Sequence, residues 1–145
     1  VYSFILPRKP KSYNTLNTTK RRDYTQALQN ALTRYHGTIN PLKGNLYGLV
    51  YHFFHKDSGL DADNLSKPVW DCLKSILFDD DKQIKWRTAG SFYLQSHDIT
   101  LIDFSGIPSL IITDLLEAIE TEDHILYVEC GRFDISMVKI NLEVL

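Results

Sequence analysis

The stretch DADNLSKPVWDCLKSILFDDDKQI, residues 61–84, holds the residues best suited to chemistry. Asp61 and Asp63 stand at its start and Asp79, Asp80 and Asp81 near its end, with Lys67 early in the apolar segment between them. If the chain is extended there, Asp61 and Asp63 point to the same side. Two carboxylates held together repel unless a cation neutralises them. A hard cation such as Mg²⁺ takes oxygen ligands, commonly one or two carboxylates completed by water and phosphate oxygens. Asp80 or Asp81 would return beside the first pair if a strand starting near Gln83 lay next to the strand that leads into Asp61. Three carboxylates around one or two metals can activate water and stabilise the leaving oxygen of a phosphodiester. Lys67 can stabilise charge on the scissile phosphate or position the nucleophile. Each part also has a plainer explanation. D-x-D-N before a helix can be a cap with an acidic first turn, DDDK a solvated turn, and Lys67 a surface lysine. The combination is more specific than its parts.

The elements that must position these residues follow from patterning. VYSFILP reads as a strand ending at Pro7, and residues 8–22 as a long polar, basic loop. Tyr24, Ala27, Leu28, Ala31, Leu32 and Tyr35 recur at helical spacing, and Gly37 is a natural stop. LYGLVYHFFHK reads as a strand. Val69, Cys72, Leu73, Ile76 and Leu77 then form one apolar helix face. Pro68 lacks an N–H and fits only near a helix start, which places that start between about Asn64 and Ser66. KQIKWRTAGSFYLQ, DITLIDF, HILYVEC and ISMVKINLEV read as strands, and PSLIITDLLEAIET as a helix. The expected fold is one small α+β domain over residues 1–145, a mixed sheet packed with two or three helices. Residues from about 107 onward can form an added C-terminal helix and strand pair.

The ordered pattern Asp61, Asp63, Asn64, Leu65, Lys67, Asp71, Leu73, Asp80, Asp81, Gln83, Ile84 resembles the RusA family of Holliday junction resolvases. The family runs D-x-D-N-L-x-K, then an aspartate within an apolar helix, then D-D-x-Q and an aliphatic residue. The N-terminal ILPRKP and the layout of strand, helix, strand, motif helix and strand are similar too, which takes the resemblance over the first two-thirds of the chain. It implies a homodimeric endonuclease, Mg²⁺-dependent with Mn²⁺ as a substitute, that nicks two strands of a four-way DNA junction symmetrically. By position, Asp61, Asp63 and Asp81 look like the metal-binding catalytic acids, Asp80 like their neighbour at the metal, and Lys67 like the family's lysine. Asp71 is expected to serve the helix or the dimer. A bacterial or phage source is implied. The alternatives are a junction-binding protein with weak catalysis and the same fold, and a structural dimer module whose acids only cap helices.

Charge distribution bears on the DNA partner. Residues 1–43 hold eight Lys/Arg and one acid, Asp23, whereas the remainder holds eight Lys/Arg and seventeen acids. A basic front beside an acidic remainder suits a polyanion ligand plus a metal site, or merely a polar loop. Arg8, Lys9, Lys11, Lys20, Arg21 and Arg22 are the expected phosphate contacts, which fix position without reading bases. Other chemistries find little support. Cys72 and Cys130 have neither CxxC spacing nor a histidine cluster, so neither a zinc site nor a disulfide framework is expected, and a reducing cytoplasm is the expected compartment. His52 and His55 differ by three along a strand and should face opposite sides. No nucleophile elbow or Gly-rich phosphate loop is present, and no apolar run reaches the length of a membrane span.

Overall fold

A computed structural model describes residues 1–12, 17–57 and 59–143. Four strands, β1 (Tyr2–Leu6), β2 (Leu46–Phe54), β3 (Ile84–Tyr93) and β4 (His124–Arg132), form one sheet in the order β1-β4-β2-β3. β4 runs antiparallel to both β1 and β2, and β3 runs parallel to β2. Three helices, α1 (Thr18–His36), α2 (Ser66–Leu73) and α3 (Ser109–Thr121), cover the sheet. The fold is therefore α+β with a mixed sheet, as the sequence leads one to expect.

Strand alternation divides the core. Phe4, Leu6, Leu46, Val50, Leu126, Val128 and Cys130 face α1 and α2, while Ile5, Phe53, Ile125 and Tyr127 face α3. Both cysteines are buried free thiols. His52 stacks on His124 with their ring nitrogens 3.1 Å apart, whereas His55 contacts the Ile119 carbonyl. The stretch beyond residue 107 does form a helix and a strand, but the strand, β4, stands between β1 and β2. It belongs to the sheet rather than to its margin.

α1 begins earlier than its apolar spacing suggests. The Asn17 side chain accepts from the Lys20 amide at 2.9 Å, so Lys20, Arg21 and Arg22 lie in the helix and not in a loop. Residues 13–16 of that expected loop lie outside the described residues. Gly37, at φ 66°, ends the helix by donating to the Thr33 carbonyl.

α2 is shorter than predicted. The chain leaves the helix at Lys74, and Ser75 takes φ 71°, a left-handed conformation uncommon outside glycine. Leu77 and Phe78 are nevertheless buried, so the apolar pattern reported burial correctly past the point where the helix ends. Two predicted strands do not form. Of DITLIDF, Ile99–Leu101 makes a 3-10 turn capped by the Asp98 side chain. Of ISMVKINLEV, Ile135–Met137 makes another, capped by Asp134, and Ile140 and Leu142 are 98% and 71% exposed. Asx caps outcompete strand propensity when no neighbouring strand is there to pair. Val144 of that stretch lies outside the described residues.

One residue pair brings α2 close against the sheet. Trp70 is fully buried and its indole covers Gly48 of β2. A Cβ at position 48 would lie 2.5 Å from Trp70 Cζ2 and 2.7 Å from Cε2. Gly48→Ala should therefore destabilise the fold by about 1–3 kcal/mol through overpacking, seen as a lower urea midpoint at unchanged slope.

Candidate active site

The first acids lie on the connection that leaves β2 and enters α2. Asp61 is extended (φ −86°, ψ 159°), and Ala62–Asn64 forms a 3-10 turn closed by the Asn64 amide on the Asp61 carbonyl at 3.0 Å. The segment is thus not extended throughout, and the two acids are neighbours through a turn rather than through a strand's two-residue repeat. Neither 3-10 turn nor helix uses a side-chain cap here: the residues at the cap positions are Asp61 and Leu65, and neither makes a side-chain cap bond. Both Asp61 and Asp63 are exposed. The plain explanation that D-x-D-N merely caps α2 fails for Asp61, whose carboxylate is not spent on a backbone amide.

α2 then carries Lys67 on its first turn. Pro68 is the third helical residue, where no intrahelical N–H is needed. Lys67 pairs with Asp71 one turn on, at 3.4 Å. Trp70 donates its indole N–H to Ser66 Oγ at 3.0 Å, so the residue anchoring α2 to the sheet also fixes its first turn. An open cleft of about 370 Å³ results, lined by Ala62, Asp63, Ser66, Lys67, Arg87 and Ala89. Arg87 and Ala89 come from β3, in register with Gly48 and Val50 of β2.

The second acidic group is sorted by its hydrogen bonds. Asp79 pairs with Lys43. Asp80 caps the 3-10 turn Asp81–Gln83, accepting from the Lys82 amide at 3.0 Å. That bond, the neighbouring Asp81 carboxyl and the charges of Lys74 and Lys82 hold the Asp80 carboxyl below the usual carboxylate range. Asp81 makes no cap and is half-buried at the entry to β3. Gln83 locks the turn in place. Its side-chain N–H groups donate to the Leu42 and Gly44 carbonyls, both at 3.1 Å, and its Oε1 accepts from the Asp79 and Asp80 amides at 2.9 and 3.0 Å. All four bonding positions of the amide are filled.

β3 does lie beside β2, the condition for bringing the second group back toward the first. The side chains gathered at the cleft are Asp63, Ser66, Lys67 and Arg87, with Asp61 one residue from its rim. Asp80 and Asp81 stay in the turn that leads into β3. Among the described residues no three His, Cys, Asp or Glu side chains form a group that could hold a metal ion. Asp61 and Asp63 are the residues that could hold a hard cation, which needs only one or two carboxylates and fills its other positions with water and phosphate oxygens.

Of the expected phosphate contacts, Arg8 pairs with Asp23 at 2.9 Å. Arg21 donates to the Asp71 carbonyl at 3.2 Å, tying α1 to α2. Lys20 and Arg22 are exposed near the start of α1, whose first turn holds no acid. Lys9 and Lys11 lie in the segment between β1 and α1.

The sequence profile of the endodeoxyribonuclease RusA family matches residues 7–101 of the 145. The chain belongs to the RusA family. That is a family of Holliday junction resolvases, and the matched region begins just after β1 and takes in α1, β2, α2 and β3, hence the whole candidate site. α3 and β4 fall beyond it. No individually curated protein matches the chain. No helix among the described residues is long and apolar enough to cross a membrane.

Sequence reasoning noted Gln83 only as part of a motif and missed Arg87 and Ser66. The two-residue spacing that separates Ser66 from Asn64 carries no signal of its own, and Arg87 is one basic residue in a strand. Gln83→Ala should lower stability by about 1–2 kcal/mol by stranding two carbonyls and two amides. Asp81→Asn should leave stability unchanged, since Asp81 caps nothing. Urea denaturation of the two variants side by side checks both expectations.

Proposed function

We propose that this RusA-family protein is an Mg²⁺-dependent endonuclease that resolves four-way DNA junctions by paired, symmetric phosphodiester hydrolysis. The observation that carries this reading is Asp63 beside Lys67 in a cleft open to solvent, with the exposed, uncapped Asp61 one residue from its rim. Carboxylates unused by the fold and facing water are suited to a hard cation. Bound there, Mg²⁺ (or Mn²⁺) would supply an activated water and neutralise charge on the phosphate. Asp61 and Asp63 would hold it, with Asp81 drawn in from the turn that leads into β3 as the third acid and Asp80 kept in place as the cap of that turn. Lys67, oriented by Asp71, would meet the charge that develops on the phosphate oxygens.

Two symmetric nicks need two sites, and each chain supplies one. A homodimer is the simplest way to present them to the two strands of a junction. The partner is branched DNA, and the first turns of α1 fit its backbone. Lys20, Arg21 and Arg22 stand at a helix N-terminus, where basic side chains oppose the macrodipole and cost stability. A polyanion bound there reverses that cost, because it meets both the side-chain charges and the helix end. Arg21 links this patch to α2 through Asp71, so phosphate contacts on α1 would set the position of the cleft. The soluble, cytoplasmic location expected of such an enzyme goes with this reading.

Two measurements test it. A labelled synthetic four-way junction, incubated beside a linear duplex of the same sequence, should receive paired nicks only as the junction and only with Mg²⁺ or Mn²⁺. Asp63→Asn should abolish the nicks while junction binding persists; continued cleavage would remove Asp63 from the site. Lys20→Ala combined with Arg22→Ala, which spares the Arg21 contact, should reduce the salt slope of junction binding by about 2, at roughly 0.9 per phosphate contact. An unchanged slope would take α1 out of the DNA interface.

A further inference from the structure

We infer that Arg87 grips the phosphate at the cleavage point from the sheet side of the cleft, opposite Lys67; this inference rests on the endonuclease reading above. Arg87 lies beyond the acidic motif, on β3. Its register partner is Gly48, so it shares the sheet face on which Trp70 of α2 is seated. That face directs Arg87 into the cleft beside Asp63, Ser66 and Lys67. Ala89, two residues along the same strand, adds little bulk to the cleft wall.

Ion pairing separates Arg87 from Lys67, the other basic residue of the cleft. Arg8, Arg34, Lys43 and Lys67 each have a carboxylate partner, and Arg21 donates to a carbonyl. Among the described residues no ion pair joins Arg87 to any acid, including Asp63 in the same cleft. The side chain is exposed, and β3 is an edge strand, so one flank of the cleft is open to a nucleic-acid strand.

A guanidinium is a planar fork of N–H donors that matches two oxygens of a phosphate and is more weakly hydrated than an ammonium. The Lys67 ammonium is partly offset by Asp71, which leaves Arg87 as the cleft's main source of unbalanced positive charge. A divalent cation on Asp61 and Asp63 would cancel their charge and turn the cleft toward anions. The geometry then places a phosphodiester between α2 and β3, touched by Lys67 on one side and by Arg87 on the other.

The test compares Arg87→Ala, Arg87→Gln and Arg87→Lys with the unaltered protein, and Lys139→Ala serves as a control for loss of one exposed positive charge that does not line the cleft. Single-turnover junction cleavage is measured at saturating protein with Mg²⁺, and the salt dependence of junction binding without divalent cation. The unaltered protein should cleave. Arg87→Ala and Arg87→Gln should both slow cleavage about a hundredfold or more, as expected for loss of a preorganised charge contact to the transition state. Each should also reduce the salt slope by about 0.9. Arg87→Lys should restore the slope but not the rate, because a point charge replaces a two-pronged contact. Lys139→Ala should match the unaltered protein in both. Cleavage by Arg87→Ala or Arg87→Gln within about threefold of the unaltered rate would overturn the role of Arg87 and leave the endonuclease reading standing. An unaltered protein that cuts no junction would overturn both.

Discussion

Two neighbouring strands that run parallel cannot be joined by a turn; the chain must cross from the end of the first to the start of the second. β2 and β3 are such a pair, paired from Leu46 with Ile84 to Phe54 with Tyr93. The whole acidic motif is that crossing. Asp61 and Asp63 lie where the chain begins its return, α2 carries it back along the sheet, and Asp80 and Asp81 lie where it re-enters as β3. The connection is held down at its midpoint by Trp70 on Gly48 and at its far end by Gln83 on the 42–44 segment. The site exists because the obligatory crossover is pinned at both places while its exposed acids are left unpinned.

The aspartates of this crossover are alike in sequence and different in employment. Asp71 orients Lys67, Asp79 meets Lys43, and Asp80 caps the turn into β3. Each of these carboxylates is satisfied inside the protein. Asp61 and Asp63 cap nothing, and Asp81 sits next to the cap without serving as it. The structural acids thus hold the frame in which the remaining ones face solvent. The same division gives D-D-x-Q a physical basis: the first Asp and the Gln form a reciprocal capping box, which fixes the backbone that presents the second Asp.

The basic front of the chain meets the acidic crossover at Lys43, which pairs with Asp79, and at the start of α1. Arg21 reaches the Asp71 carbonyl, and Cys72 Sγ approaches the Arg21 carbonyl from the other side. α1 and α2 therefore pack as a unit on one face of the sheet, with the Lys20–Arg22 segment near the motif helix. α3 covers the other face and takes no part in the site. β4, although it lies beyond the region matched by the family, pairs with both β1 and β2. The sheet that supports the site depends on residues outside the region that carries the family pattern.

Local chemistry was legible from residue order. The Asn17 cap aside, apolar spacing located α1 and α3, β-rich runs located the four strands, and Pro68 located the start of α2. The motif residues were legible because the types needed for phosphodiester chemistry occur at fixed spacings along one connection. DITLIDF and ISMVKINLEV misled because strand propensity says nothing about whether a neighbouring strand is available, and Asp98 and Asp134 offered those segments a local cap instead. Which aspartates cap and which stay open, the clamp by Gln83, and the arrival of Arg87 opposite Lys67 were decided only in three dimensions. Those facts depend on the register of β3 against β2 and on the depth at which Trp70 seats α2, and neither is set by any short stretch of sequence.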